Sequence, residues 1–355
     1  MKPGGSPGGS PGGSPGGSPV RALIVAPAWI GDAIMAQPLF ARLKAREPEL
    51  MLDALAPVWV EPVLARMPEI THIAENPFAH GELALKKRFA LAREIAQQGY
   101  QRAYLLPNSL KSALIPFLAG IPRRIGFTGE SRFGLVNVRH TLDKTALPLM
   151  VERFAQLAET PGQTIERPIP NPRITSTPEQ QAAALTALGL EKPKRLVVLC
   201  PGAEFGPAKR WPVNHFAALA RVLVERGHPV WLLGSGKDKP VGDAIAAQTP
   251  ENCLNLCGST NLAQAIDLIA LAKLVVCNDS GLMHVAAALD RPCIALFGSS
   301  SPEFTPPLSD QATVLRLDLP CSPCFKRECP FGHTDCLAKL EPARVLDACL
   351  SRLGS

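Results

Sequence analysis

Apolar and polar positions along the chain fall into two series of alternating patterns. Arg21–Ala26 (RALIVA) is a short apolar run, and the stretch after it keeps a helical spacing through Arg46. Similar strand-like runs open around Met51–Ala56 and Tyr104–Leu106. A second series starts near Arg195 with RLVVLCPG and continues through PVWLLGSG, LVVCNDSG and CIALFGSS. Each of these runs ends in small, polar or glycine residues, where an open α/β sheet places its ligand loops. Strand runs alternating with helical stretches predict mostly parallel sheets with helices on both faces. The proline-rich stretch Pro161–Pro178 separates the two series and reads as a linker. The expected fold class is therefore α/β, with two similar domains, 20–173 and 174–355, facing each other across a cleft.

Composition agrees with this division. A chain of 355 residues exceeds the size that one core usually serves. Pro-Gly-Gly-Ser recurs four times over residues 3–19, a segment with nothing to bury, expected as a flexible tail outside the fold. No apolar run reaches the roughly 18–20 residues needed to cross a bilayer, and no secretory signal is evident, so a cytoplasmic location is expected. Residues 20–173 hold 19 Lys and Arg against 14 Asp and Glu, whereas residues 174–355 hold 17 of each. A basic first half suits an anionic partner, with ordinary surface scatter as the alternative. Nucleic acid does not fit: there is no dense basic run, and aromatic residues make up only 5%, too few for a stacking platform.

Candidate chemistry sits at the strand ends. In Leu274–Leu289 an apolar strand runs into Asn278-Asp279-Ser280-Gly281 and then an apolar helix. Asp279 is placed to cap that helix, leaving the N–H groups of Ser280, Gly281 and Leu282 free for a phosphate. A plain capped helix is the equal alternative. His284, on the first turns, reads either as a ligand to phosphate or sugar or as a buried structural histidine. Pro201–Pro212 (PGAEFGPAKRWP) brings Lys209 and Arg210 beside Trp211, and Lys209 can meet charge developing on a departing diphosphate. Leu233–Lys239 is a further glycine-rich strand end, but Gly234-x-Gly236 lacks the third glycine of a dinucleotide fingerprint, and no P-loop is present. The first strand also lacks that fingerprint, which argues against a dehydrogenase. It leads instead into Gly31-Asp32 and a helix from Ala33. Asp32 sits where an N-cap belongs; it reads equally as a carboxylate at the cleft that takes a proton from an attacking hydroxyl.

Four segments, AWIGDAIMAQPL, LPNSLKSAL, PGAEFGPAKRWP and NDSGLMHVAAAL, together and in this order, closely resemble the ADP-heptose:lipopolysaccharide heptosyltransferases of glycosyltransferase family 9, nearest the heptosyltransferase II branch. The resemblance covers essentially all of residues 20–353. It implies a GT-B fold of two Rossmann-like domains, acceptor in the first and sugar nucleotide in the second, with the last helix packing back on the first domain. It also implies metal-independent, inverting transfer of L-glycero-D-manno-heptose from ADP-heptose to the heptosyl-Kdo inner core on lipid A. No cofactor would be required. The place would be the cytoplasmic face of the inner membrane, in peripheral contact with it. The family's catalytic base carries over to Asp32 and its nucleotide-binding lysine to Lys209. Its donor element carries over to Asp279, Gly281, Leu282 and His284, with Ser280 supplying a hydroxyl, and Gly234 belongs to the donor side. On the acceptor side stand Gly31, Asn108, Ser109, Lys111, Arg123 and Arg124, with Arg132 and Arg139 nearby. A heptosyltransferase I or a later heptose-adding enzyme would differ in the acceptor. A noncatalytic nucleotide-sugar-binding protein on the same scaffold is the reading from another class.

Ten cysteines are present, four of them spaced C-x2-C-x4-C-x6-C at Cys321, Cys324, Cys329 and Cys336, with His333 between. That density of soft ligands suits a structural zinc site. Free thiols or disulfides stay open beside it, and the family does not decide, because many relatives lack the full set. Cys200, Cys253, Cys257, Cys277, Cys293 and Cys349 read as dispersed, small apolar residues.

Overall fold

The computed structural model describes residues 20–79, 82–249 and 251–354, so the Pro-Gly-Gly-Ser tail lies outside the described residues. Two six-stranded sheets carry the fold. The first contains β1 (Arg21–Val25), β2 (Met51–Ala56), β3 (Ile70–Glu75), β4 (Arg102–Leu105), β5 (Arg123–Phe127) and β6 (Val138–His140), in the order β3-β2-β1-β4-β5-β6. The second contains β7 (Val197–Cys200), β8 (Val230–Leu232), β9 (Cys253–Asn255), β10 (Leu274–Asn278), β11 (Cys293–Leu296) and β12 (Ala312–Leu315), in the order β12-β11-β10-β7-β8-β9. Every pairing is parallel: Ile24 lies between Ala54 and Tyr104, and Cys277 between Cys200 and Ala295. Read from β9, the second sheet repeats the topology of the first.

The apolar runs become strands because both sides of each are covered. Alternate residues of β1 go to opposite faces: Leu23 and Val25 pack with Ala92, Ile95 and Ala113 beneath the helices Leu85–Ala96 and Leu110–Leu118. Ala22 and Ile24 enter a larger core that continues through Leu39, Phe40 and Leu64 into Leu196, Val198, Val275 and Met283 of the second domain. The outer face of the second sheet buries Val197, Leu199 and Val276 against Phe216, Leu219 and Leu223. The last helix, Pro342–Leu353, places Val345 and Cys349 in that same outer core and packs on the helix Val213–Glu225. It therefore stays with the second domain rather than returning to the first. Its apolar stripe is matched to the groove beside Val213–Glu225, and Trp211 ties its lead-in by donating from Nε1 to the Leu340 carbonyl, 2.8 Å away.

The domains are held together by more than apolar contact. Arg66, at the end of the Glu61–Leu64 turn, donates to both carboxylate oxygens of Asp267 on the helix Leu262–Ala270, at 2.8 and 2.9 Å, with both side chains buried. Ser176 donates to the same carboxylate at 2.7 Å, and the Thr175 N–H donates to the Arg66 carbonyl. A backbone bond from the Met150 N–H to the Phe304 carbonyl also ties the domains, and one from Ile174 to Ala288 seats the start of the second domain. A bidentate, desolvated pair of this kind fixes orientation more than it stabilises. Replacing Arg66 by Met alone should strand the Asp267 charge and cost about 3–5 kcal/mol. The double variant R66M/D267L should recover much of that loss, and thermal melts of the three proteins measure both effects.

Candidate active site

In a sheet of this order, ligands collect where the chain reverses direction, between β1 and β4 in the first domain and between β7 and β10 in the second. Most of the sequence-predicted residues lie there, but Arg123 and Arg124 open β5 at the opposite edge of the first sheet, and Gly234 follows β8. The loop after β1 carries Gly31 and Asp32, the loop after β4 carries Asn108 and Ser109, the loop after β7 carries Lys209, and the loop after β10 carries Asp279 to His284.

The two halves meet where the helix Ile30–Met35 packs on the helix Gly281–Ala288. The approach is close enough to exclude a side chain at Gly31 and to crowd one at Gly281. A Cβ at Gly31 would lie 2.6 Å from His284 Cδ2, and one at Gly281 would lie 3.0 Å from Ile30 Cβ. His284 is 5% exposed. Burial pulls its pKa down to about 4, with Asp279 opposing and Lys209 reinforcing the shift, so the ring is neutral at physiological pH. The imidazole thus serves as a polar wall of the junction.

Asp32 lies in the first turn of its helix, not before it. The helix starts at Ile30, Trp29 takes the cap position, and the capping role expected for Asp32 is not the one it has. Burial pushes its carboxyl up to about 6, with the nearby Lys209 charge working in the other direction. A carboxylate raised this far is still ionised at neutral pH and is a stronger base than an exposed one.

Asp279 is corrected in the same way. Ser280 is the cap residue of the second helix and makes no side-chain cap bond. The Asp279 carboxylate turns instead to Lys209, whose Nζ stands 2.5 Å from Oδ2, and accepts a hydrogen bond from the Ser300 hydroxyl. The first N–H groups of the helix are left without intrahelical partners. Lys209 also lies over the Phe205 ring, 4.9 Å from its centroid. Asn278 holds the Lys209 loop in place: its Nδ2 donates to the Pro201 carbonyl at 2.8 Å, and its Oδ1 accepts from the Trp211 N–H at 3.0 Å. Ser300 and the anchoring role of Asn278 escaped sequence reasoning, although both lie in strand-end segments that it singled out. Gly234 serves packing, since a Cβ there would meet Asp238 at 2.9 Å and Cys257 Sγ at 3.2 Å.

On the first domain, several expected acceptor residues are committed to their own loops. Arg124 donates to the carbonyls of Ile121, Gly134 and Leu135, and Arg132 to those of Pro107 and Phe127 and to Asn108 Oδ1. Ser109 caps the helix Leu110–Leu118 by accepting from the Ser112 N–H. These residues therefore build the loop wall instead of projecting from it. Arg123 and Arg139 remain exposed. Arg139, with Thr128, Glu130, Arg132, Phe133 and Val136, lines a cavity of about 130 Å³. It opens beside Asn108, against which Gly129 is packed. Lys111 lies on the first turn of the same helix, half-buried.

Among the described residues no three His, Cys, Asp or Glu side chains converge on a point that would hold a metal ion, and no helix is long and apolar enough to cross a membrane. All ten cysteines are free.

Comparison with known proteins fits this geometry. Residues 88–335 match glycosyltransferase family 9 (heptosyltransferase). The lipopolysaccharide heptosyltransferase 2 of Escherichia coli K12 is 45% identical over 337 residues, covering 92% of this chain and 97% of that protein. The lipooligosaccharide heptosyltransferase 2 of Haemophilus influenzae is 47% identical over 308 residues, covering 83% and 88%. The structure of the E. coli ADP-heptose lipopolysaccharide heptosyltransferase II superposes with a TM-score of 0.86 at 42% identity, covering 94% of this chain and 98% of that one. Two parallel sheets of identical topology, a cleft lined from both and similarity over nearly the whole chain place this protein in glycosyltransferase family 9, the heptosyltransferases.

Proposed function

We propose that this glycosyltransferase moves L-glycero-D-manno-heptose from ADP-heptose to the heptosyl-Kdo inner core of lipopolysaccharide, with inversion and with Asp32 as the base. The observation that carries the reading is the desolvated Asp32 carboxylate facing, across the domain junction, the cation of Lys209. Relatives named heptosyltransferase 2, matched over nearly their whole length, support the choice of sugar and acceptor.

The chemistry follows from charge. An acceptor hydroxyl gives its proton to Asp32 as its oxygen attacks the anomeric carbon from the face opposite ADP. The bond to the diphosphate breaks, and negative charge builds on the departing phosphate. Lys209 and the N–H groups at the start of the helix Gly281–Ala288 meet that charge, and Asp279 with Ser300 holds the lysine in line. Neutral His284 leaves both charges undisturbed. Arg139, beside the cavity next to Asn108, and Lys111, on the first turn after the β4 loop, face the acceptor's anionic groups, whereas Arg123 opens β5 at the opposite edge of the sheet and has no part in this.

A lipid-linked acceptor calls for contact with a membrane surface. The helices Leu85–Ala96 and Leu110–Leu118 pack on one another, and Leu85, Phe89 and Phe117 are about half exposed. Lys86, Lys87 and Arg93 lie on the first of them, also exposed. Apolar side chains bordered by cations suit an anionic bilayer, here the cytoplasmic face of the inner membrane.

Four outcomes test the reading. Asp32→Asn should lower kcat by about 10²–10⁴-fold while ADP affinity stays within about twofold; a variant turning over at the wild-type rate rules Asp32 out as base. Because the base works ionised, wild-type activity should be flat above its pKa of about 6 and fall about tenfold per pH unit below it. Lys209→Ala should weaken ADP binding by about tenfold or more, the value of one charge-assisted contact, as read by calorimetry. The double variant L85E/F89E should lose co-sedimentation with phosphatidylglycerol vesicles yet keep turnover on a water-soluble acceptor fragment.

A further inference from the structure

Four thiols that the proposed reaction does not use surround one small space next to the donor loops. Cys321, Cys324, Cys329 and Cys336 line a cavity of about 20 Å³ whose far wall is Ala208 and Ser299. That is room for about one water or one ion. The backbone turns back tightly after Cys329, where the Gly332 N–H donates to the Cys329 carbonyl at 3.1 Å. As placed, the sulfurs border the cavity without three of them meeting at a point.

The segment carrying these thiols clamps both donor loops. The Arg327 carbonyl accepts from the Ala208 N–H at 3.1 Å, next to Lys209, and it passes so near Gly206 that a Cβ there would lie 2.4 Å away. Arg327 and Lys209 both lie over the Phe205 ring. On the other side, the Phe325 N–H donates to the Ser299 carbonyl at 2.6 Å and the Ser322 hydroxyl to the Gly298 carbonyl at 2.6 Å, immediately before Ser300. Residues 321–336 contain little regular structure of their own, only the turn of helix Asp335–Ala338. Its internal hydrogen bonds close only short local turns, such as Gly332 N–H to the Cys329 carbonyl, so positioning two neighbouring loops calls for another source of rigidity.

We infer that Cys321, Cys324, Cys329 and Cys336 bind one thiophilic metal ion, zinc or iron, in a tetrahedral four-sulfur site that braces the Lys209 and Ser300 loops. Four sulfur ligands complete the shell and select zinc or iron over magnesium or calcium. Binding releases the thiol protons to solvent. The His333 ring is engaged elsewhere, with Nδ1 accepting from the Asp335 N–H at 3.0 Å and its plane stacked on Phe331.

The bracing role rests on the donor-site reading above, whereas the metal site does not, so the two fail separately. The full chain, purified without chelators or a polyhistidine tag, should carry about one zinc or iron by elemental analysis, with the element found settling which. Growth on cobalt should give a sulfur-to-cobalt charge-transfer band, a signature that needs no variant. The double variant C324S/C329S should lose the metal and bind ADP about tenfold more weakly, while Asp32→Asn keeps the metal. Far less than one equivalent of either metal, together with rapid alkylation of all four thiols in the folded protein, overturns the site. Metal loss with unchanged ADP affinity overturns the brace.

Discussion

Everything functional in this protein depends on the contact between the helices Ile30–Met35 and Gly281–Ala288, one from each domain. Gly31 permits an approach that a side chain there would block, Gly281 leaves room for Ile30 from the other side, and the buried His284 ring fills the space beside Gly31. Each helix begins at the point where its sheet reverses strand order. The contact therefore joins the two ligand crevices into one. Without it, Asp32 and Lys209 would belong to separate sites and neither would feel the other's charge. The buried pair of Arg66 and Asp267 secures the same arrangement from further along the interface.

Burial at that junction has opposite consequences for two carboxylates. Asp279 has Lys209 and the Ser300 hydroxyl as partners, so its charge is compensated and it acts as an anchor. Asp32 receives only the more distant influence of Lys209 and is otherwise desolvated, which raises its proton affinity. One environment gives a holder of a cation, the other a base. Keeping a carboxylate in such a place costs about 1.4 kcal/mol per pKa unit, a cost tolerated where activity needs it.

Basic residues illustrate how side chains of one type divide between structure and function. Arg124 and Arg132 satisfy carbonyls in loops that have no sheet to pair with, so the acceptor side of the cleft is shaped by buried guanidinium groups. Arg123 and Arg139, on the adjoining strands β5 and β6, stay in solvent. The excess positive charge of the first half is thus partly scaffold and partly surface field.

Taken alone, the sequence determined the class of fold, since apolar runs with strand length and glycine-rich ends in two series leave few alternatives to paired parallel sheets. It also determined which loops carry chemistry, because Gly31-Asp32, Lys209 and Asp279–His284 follow such runs directly. Local pattern misplaced the roles of individual side chains. Asp32 and Asp279 both look like caps because a short polar residue before an apolar helix usually is one. Whether the carboxylate caps or turns away depends on Lys209 and Ser300, which lie 70 and 21 residues from Asp279 along the chain. The basic stretch could not reveal which arginines were committed, because their carbonyl partners are fixed only once the loops close. Nor could the last helix be assigned to a domain from its stripe, which would fit any apolar groove. Those decisions belong to tertiary structure, because proton affinity, pairing and packing depend on what burial brings within a few ångströms, and chain order alone does not encode that distance.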